Sequence, residues 1–172
     1  EINSIGTNLI FISTDFDNSD GYQSLSIDDV ASLSDPSRVP DVADVTASVG
    51  GGFNIIARGR ETQSTVQGVL PNYFTINNLT DSIESGNLLT SADESGRSRV
   101  AVIGSSVAED LFDGEYPIGQ TLKISGGSYT IIGVMAESEG GIGTNPNSTV
   151  FVPLSTAQSR LITSRTRDNR PA

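Results

Sequence analysis

The sequence predicts an α+β fold in which short capped helices lie on mixed β-sheets. Apolar runs typical of strands recur along the chain, as in the continuously apolar Val100–Ile103. Three serines, Ser26, Ser106 and Ser155, are followed three positions later by a carboxylate or amide side chain, which is the spacing of a helix-starting capping box. Because strand and helix signals alternate along the chain, we expect the helices to pack against a mixed sheet.

The N-terminal segment predicts one strand and one helix. Asn8–Ser13 (NLIFIS) is a short apolar run between polar residues, which is typical of a buried strand. The helix begins at Ser26 and places Ile27 and Val30 on one apolar face. It ends before Pro36, because the residue that precedes a proline disfavours helical geometry.

The next part of the chain predicts β-structure. We expect three strands, at Val42–Val49, Phe53–Arg58 and Thr65–Leu70. The three glycines Gly50–Gly52 are expected to form the first turn, and Gly59-Arg60 the second. Residues 59–68 alternate in polarity, which indicates the half-exposed arm of an antiparallel hairpin.

The second half of the chain predicts a continuous packed unit. Val100–Ile103 is expected to be a central strand, and the helix that starts at Ser106 is expected to stop at Asp113-Gly114. A hairpin is predicted over Gln120–Ala136, because a Gly-Gly pair separates two runs rich in β-formers. A final strand at Val150–Val152 leads into the helix that starts at Ser155.

Composition excludes several classes of chemistry. The 172 residues carry a formal charge of −11 and include neither cysteine nor histidine. Thiol nucleophiles, structural zinc sites and histidine acid–base catalysis are therefore excluded. We expect an acidic domain that is not an enzyme, with no catalytic, cofactor-binding or metal-binding residue and no cofactor.

An acidic loop near the N-terminus allows two interpretations. Asp15, Asp17 and Asp20 resemble the start of a calcium loop, but such a loop needs glycine at its sixth position and glutamate at its twelfth. The chain has Asp20 and Ser26 at those positions. We favour a solvated loop, with weak calcium affinity as the alternative.

Two further patterns point only weakly to catalysis. The acids Asp81, Glu84, Asp93 and Glu94 are irregularly spaced, whereas a glycosidase holds two acids about 5–10 Å apart across a cleft. The loop Gly140–Gly143 superficially resembles a phosphate-binding loop. No Lys-Ser/Thr pair follows it, and a proline blocks the helix that would bind phosphate.

Cationic residues are few, and the densest group lies near the C-terminus. Arg160, Arg165, Arg167 and Arg170 follow the last predicted helix, where the helix dipole favours positive charge. We interpret them as a solvated helix end and polar tail, with a polyanion site as the alternative. Binding to nucleic acid is not expected, since it depends on clustered cations.

No apolar segment approaches the roughly 20 residues that span a bilayer. No signal peptide is visible at the N-terminus, because a basic region followed by an apolar region is absent. We therefore expect an excised soluble piece, without the anchors of any membrane protein to which it belongs.

Four phrases in a fixed order carry a resemblance to a known family. They are VAVIGSSVAEDLF from Val100, YPIGQTLKI from Tyr116, YTIIGVM from Tyr129 and VFVPLSTAQ from Val150. In this order they resemble the extracytoplasmic domain of MacB-like ABC transporter permeases. One departure is Asn87, which stands where the family usually has arginine.

The resemblance implies two lobes. Residues 1–70 would supply part of a porter-like βαβ lobe, residues 71–161 an inserted β-rich lobe, and residues 162–172 a polar tail. The family normally returns through a further strand and helix after the last helix of this chain. The porter-like lobe is therefore expected to have an unpaired edge, which could swap or dimerise.

The resemblance also implies a role. The domain would lie on the extracytoplasmic side of a cell membrane and, without catalysing a reaction itself, couple ATP-driven helix motion to export or to an outside partner. Implied partners are the transmembrane helices of its own permease, a cytoplasmic ATPase domain or subunit, a periplasmic adaptor protein and a second copy in a homodimer. The alternative is a secreted acidic binding or adhesion module.

Overall fold

The computed structural model describes residues 9, 10, 12, 27–35, 37, 39–138 and 145–162. Its strands are β1 (Ser48–Ala57), β2 (Arg60–Val69), β3 (Ile83–Gly86), β4 (Val100–Ile103), β5 (Thr121–Ile124), β6 (Gly127–Met135) and β7 (Thr149–Pro153). Its α-helices are α1 (Ile27–Leu33), α2 (Tyr73–Ile76), α3 (Ser91–Ser95), α4 (Ser105–Phe112) and α5 (Leu154–Ala157). A π-helical turn, Gln158–Ile162, continues α5, and short 3₁₀ turns occupy Thr80–Ser82 and Pro146–Ser148.

All seven strands belong to one mixed sheet. Their order is β3-β6-β4-β7-β2-β1-β5, and β5 also pairs with β6, so that six strands form a closed ring. The pairs β2–β7 and β4–β6 are parallel and the others are antiparallel. The predicted α+β class is confirmed, and β4 is the buried central strand that its apolar run predicts.

Side chains alternate between the two faces of this sheet, and each face has its own apolar cluster. Helices α4 and α5 pack on one face, where Ile55, Ile103, Leu122, Ile131 and Val150 are fully buried. Helix α2 covers part of the other face. There Phe74 and Phe151 stack edge to face, with ring centroids 5.4 Å apart, beside Val102 and Met135.

The predicted turn at the three glycines is wrong. Gly50–Gly52 lie inside β1, which runs unbroken for 10 residues and pairs with β2 at every position from Ser48 to Ala57. The first predicted strand is also wrong for residues 42–47, which form no strand. Glycine permits a turn but does not require one, and here β2 supplies strand hydrogen bonds along the whole length of β1.

Two of the three predicted capping boxes are wrong. Helix α4 begins at Ser105 with Gly104 as its N-cap, and no side chain caps it. An added Cβ on Gly104 would lie 2.2 Å from the carbonyl oxygens of Pro146 and Asn147, so this position requires glycine. Helix α5 begins at Leu154 and has no side-chain cap of its own. The predicted cap at Ser26 lies outside the described residues.

The predicted stops and turns in the second half are confirmed. Asp113 ends α4 in a left-handed conformation (φ 52°), followed by Gly114 (φ 82°). The hairpin over β5 and β6 is confirmed, but its two turn residues are Ser125 and Gly126 (φ 48° and 80°), because Gly127 of the predicted Gly-Gly pair already pairs with Ile124. Positive φ at both central residues is the geometry whose twist matches a two-residue hairpin.

Strands from both sides of the predicted boundary at residue 70 share the sheet. β2 pairs in parallel with β7 over five residues, and β1 pairs with β5. Of the predicted strand Asn8–Ser13, only residues 9, 10 and 12 are described. They lie in no strand and are exposed at Leu9 (38%), Ile10 (83%) and Ile12 (58%).

Candidate functional site

The acids Asp93 and Glu94 of the acidic stretch both make structural hydrogen bonds. Asp93 completes a capping box at the start of α3, where the backbone N–H of Thr90 donates to its carboxylate (3.0 Å) and its own N–H donates to Thr90 Oγ1 (3.3 Å). Asp81 and Glu84 are exposed. The carboxylate of Glu94 instead contacts the first turn of α5.

Glu94 and its neighbours hold the start of α5. The backbone N–H of Ser155 donates to both carboxylate oxygens of Glu94 (3.0 and 3.2 Å), and Ser155 Oγ donates to the Glu94 carbonyl oxygen (2.7 Å). Thr156 Oγ1 donates to the carbonyl oxygen of Ser98 (3.0 Å). A carboxylate from another helix thus satisfies a free N–H in the first turn, at the end where the helix dipole favours negative charge. We call these contacts the α3–α5 clasp.

Close packing fixes the other side of α5. A Cβ added to Gly68 of β2 would lie 2.3 Å from Cβ of Ala157, 3.3 Å from Cγ1 of Val49 and 3.4 Å from Cα of Leu154. Only a residue without a side chain allows the helix to approach the sheet this closely. Helix α5 is therefore seated on β1 and β2 by shape and joined to α3 by hydrogen bonds.

Ionic contacts brace the tip of the β1–β2 hairpin against the end of α4. Arg58 forms an ion pair with Glu115, and Arg60 Nη2 lies 2.9 Å from the Asp113 carboxylate. All four side chains are between 44% and 73% exposed. Exposed pairs contribute about 0–1 kcal/mol each, so these contacts orient the hairpin tip more than they stabilise the fold.

Asn147 closes the base of the loop that contains the predicted glycine motif. The N–H of Ser138 donates to Asn147 Oδ1 (2.9 Å), and Asn147 Nδ2 donates to the carbonyl oxygen of Ser138 (2.7 Å). Gly140–Gly143 themselves lie outside the described residues. The two hydrogen bonds join the segment that follows β6 to the 3₁₀ turn that precedes β7.

Two described side chains have clearly displaced pKa values. The hydroxyl and the backbone N–H of Ser37 donate to Asp35 (2.6 and 2.9 Å) and hold the pKa of that carboxyl below its usual range. Burial raises the pKa of the Tyr129 phenol, while the nearby positive charges of Arg160 and Arg99 oppose that rise.

The described residues contain neither a metal-ligand cluster nor a membrane-crossing helix. Within the described ranges, no group of three or more His, Cys, Asp or Glu residues could hold a metal ion. The acids of the predicted calcium loop, Asp15, Asp17 and Asp20, are not among the described residues. None of the described helices is both long enough and apolar enough to cross a bilayer.

The resemblance seen in the four ordered phrases is borne out by comparison with known families. The profile of the MacB-like periplasmic core domain matches residues 1–171. The chain belongs to this family. The MacB-like domain is thus an extracytoplasmic part of a membrane transporter of the ABC class, as the sequence predicts. This membership favours a transporter domain over the secreted binding or adhesion module.

Relatives with similar sequences are considerably longer than this MacB-like domain. The macrolide export ATP-binding/permease protein MacB of Pectobacterium atrosepticum is 31% identical over 181 residues, which cover 98% of this chain and 27% of that protein. The uncharacterized ABC transporter permease YknZ of Bacillus subtilis is 31% identical over 126 residues, which cover 73% of this chain and 31% of that protein. The chain therefore spans about a quarter to a third of these relatives.

Two solved structures share the fold. The periplasmic region of MacB from Actinobacillus actinomycetemcomitans matches with a TM-score of 0.69 and 23% identity, covering 81% of this chain and 60% of that structure. The extracellular domain of the noncanonic ABC-type transporter YknZ from Gram-positive bacteria matches with a TM-score of 0.67 and 24% identity, covering 79% and 66%. At this identity the likeness concerns the fold alone.

Proposed function

We propose that this domain couples ATP-driven motion of permease helices to export, or to a partner protein outside the membrane, without catalysing a reaction itself. Family membership supports this role, since the MacB relatives are named as combined ATP-binding and permease proteins. The chain corresponds to 27% of the P. atrosepticum relative, so ATP hydrolysis is assigned to another domain or subunit.

The observation that carries the proposal is the double fixation of α5. The α3–α5 clasp holds its first turn, and Ala157 packs against Gly68 on β2. A displacement of this helix must therefore move the sheet or break several contacts together. A rigid connection of this kind is what a domain needs if it acts by being moved rather than by chemistry.

The proposal includes a division of the chain and a set of partners. Because β1 and β2 pair with β5 and β7, we place residues 48–161 in the β-rich lobe and assign residues 1–47 to the first part of the porter-like lobe. We assign residues 162–172, which begin with the last residue of the π-helical turn, to the polar tail. The partners are the transmembrane helices of its permease, an ATPase domain or subunit, a periplasmic adaptor and a second copy of the permease.

Breaking the clasp in the full-length permease tests the proposal. Glu94→Ala, Ser155→Ala and Thr156→Val together remove the side-chain hydrogen bonds of the α3–α5 clasp, while Glu109→Gln removes one exposed carboxylate from α4 as a control. The MacB names make macrolide export the first reaction to measure, in vesicles with ATP hydrolysis followed in parallel. We expect the clasp variant to hydrolyse ATP and to lose export. Unchanged export, with faster amide exchange in α5 showing that the clasp is broken, would contradict the proposal.

A further inference from the structure

The helix that follows β7 changes its winding part-way along. Leu154–Ala157 forms α5, and the next five residues, Gln158–Ile162, form the π-helical turn. In an α-helix each N–H donates to the carbonyl four residues earlier, whereas in a π-helix it donates to the carbonyl five residues earlier. The π-helical turn therefore holds about one residue more than the α-helical turn that it replaces. Single π-helical turns occur frequently at functional sites.

The apolar side chains of this helix fit both windings. Leu154, Ala157 and Leu161 are buried and at most 2% exposed. Their spacing of three and then four residues is that of the apolar stripe of a continuous α-helix. The structure nevertheless buries Leu161 from the π-helical turn. Because an α-helical winding directs the same three side chains to one face, burial alone does not select between the two windings.

The first turn of the helix is held in place, whereas the residues after it are exposed. The α3–α5 clasp holds the start of α5, and Ala157 packs closely against Gly68 of β2. Ser159 and Arg160 lie on the exposed side of the π-helical turn. A change of winding after Ala157 therefore leaves the contacts of α5 with α3 and with the sheet intact.

The hydroxyl of Ser159 weakens the α-helical winding at this turn. Ser159 Oγ donates to the carbonyl oxygen of Thr156 (3.3 Å), three residues earlier. In a continuous α-helix that carbonyl accepts the hydrogen bond of the Arg160 N–H. Serine hydroxyls that bond to a carbonyl of the preceding turn compete with the helical hydrogen bond and bend the helix. The Ser159 hydroxyl thus favours the π winding, while the apolar spacing favours the α winding.

We propose that residues 158–162 form a two-state joint, in which the π winding and an α-helical winding exchange while α5 stays fixed on the sheet. The two windings differ by about one residue, which corresponds to about 100° of rotation and about 1.5 Å of rise. The direction in which the chain leaves Ile162 therefore changes with the winding. The joint is argued from residues 154–162 alone.

Two discrete windings amplify a small local change into a larger displacement of the following chain. A helix with a fixed start and two windings at its end redirects that chain without disturbing the sheet. In the coupling role, the joint lets the chain after Ile162 turn while the domain keeps its shape. This consequence rests on the proposed function, whereas the joint itself does not, so the two are tested separately.

NMR relaxation dispersion on the full 172-residue chain tests the joint, because it detects exchange on the μs–ms timescale. We expect exchange at the amides of residues 159–162 and none at those of residues 155–157. Couplings across hydrogen bonds identify the acceptor of the Ile162 N–H. That acceptor is the Ala157 carbonyl in the π winding and the Gln158 carbonyl in the α winding.

Three variants separate the hydroxyl from other effects. Ser159→Ala should raise the ratio of α to π winding about fivefold, because a hydrogen bond is lost and alanine favours the α-helix. Ser159→Thr keeps a hydroxyl and should leave the ratio within about twofold. Ser106→Ala makes the matched change on the exposed side of the regular helix α4 and should leave residues 158–162 unchanged. Circular dichroism confirms that each variant is folded.

The same spectra contain the results that would overturn the joint. One is a flat dispersion profile at residues 159–162, with the same acceptor for the Ile162 N–H in the unchanged chain and in Ser159→Ala. Another is equal exchange at all amides of residues 154–162, which would mean that the whole helix leaves the sheet. An equal response to Ser159→Ala and Ser159→Thr would show that the hydroxyl does not control the winding.

Discussion

Replacing Gly68 by alanine tests how tightly α5 is seated on the sheet. The new methyl group would lie 2.3 Å from Cβ of Ala157. Ordinary carbon–carbon contacts are about 3.5–4.0 Å, so the helix must move by roughly 1.5 Å. Because Cβ of Ala157 is attached directly to the helix backbone, no side-chain rotation can relieve this overlap. Overpacking of this kind costs about 1–3 kcal/mol in free energy of unfolding.

Two further variants test whether the overlap between positions 68 and 157 causes the loss of stability. Gly52→Ala lies on the neighbouring strand β1 and its new Cβ meets no atom within 4 Å, so the expected change is within about 0.5 kcal/mol. Ala157→Gly alone costs about 1–2 kcal/mol, through lower helix propensity and a lost buried methyl group. The double variant moves the methyl group from the helix to the strand. Its loss in free energy of unfolding should therefore be about 1–3 kcal/mol smaller than the sum of the losses in the two single variants.

Urea unfolding followed by circular dichroism measures all four variants. For a domain of this size each kcal/mol lowers the Tm by about 2–4 °C, which thermal scans can resolve. If Gly68→Ala proved as mild as Gly52→Ala, the close approach of α5 to β2 would be wrong. If the double variant showed only the sum of the single effects, the two positions would not be in contact.

Three further predictions concern single side chains. Asn147→Ala removes both hydrogen bonds to the backbone of Ser138 and should cost about 1–3 kcal/mol in urea unfolding, with faster amide exchange at Ser138. Thr90→Ala removes the capping box of α3 and should cost about 1 kcal/mol, whereas Thr90→Ser should retain most of that stability. The raised pKa of Tyr129 means that the unfolded chain loses the phenol proton first, so stability should fall as the pH rises above about 10. Unfolding midpoints measured across that range should lose part of this dependence in Tyr129→Phe.

The strands that were predicted well are those whose local pattern and tertiary surroundings agree. Val100–Ile103 is apolar on both faces and becomes the buried strand between β6 and β7. The β5–β6 hairpin follows from the Ser125-Gly126 turn, whose two residues adopt positive φ. The turn predicted at the glycines of β1 is wrong because their local turn preference is overridden by antiparallel pairing with β2 along the whole strand.

The helix starts show which signals were available in the sequence. Thr90 and Asp93 have the spacing of a capping box, so the start of α3 is visible in the sequence. The start of α5 could not, because its first-turn N–H is satisfied by Glu94, which lies 61 residues earlier in the chain. Gly104 caps α4 because neighbouring carbonyl groups exclude a side chain, a constraint that appears only after folding.

The close packing of α5 against Gly68 also links the stability of the domain to the proposed coupling. Gly68 lies between Val49 on β1 and Ala157 on α5, so a displaced helix disturbs the β1–β2 pair before the rest of the sheet. In the full-length permease, Gly68→Ala should therefore lower export per ATP hydrolysed even at temperatures where the domain stays folded. Gly52→Ala should leave that ratio unchanged, because its Cβ contacts nothing. Equal ratios for both variants would mean that motion reaches the sheet by a route other than α5.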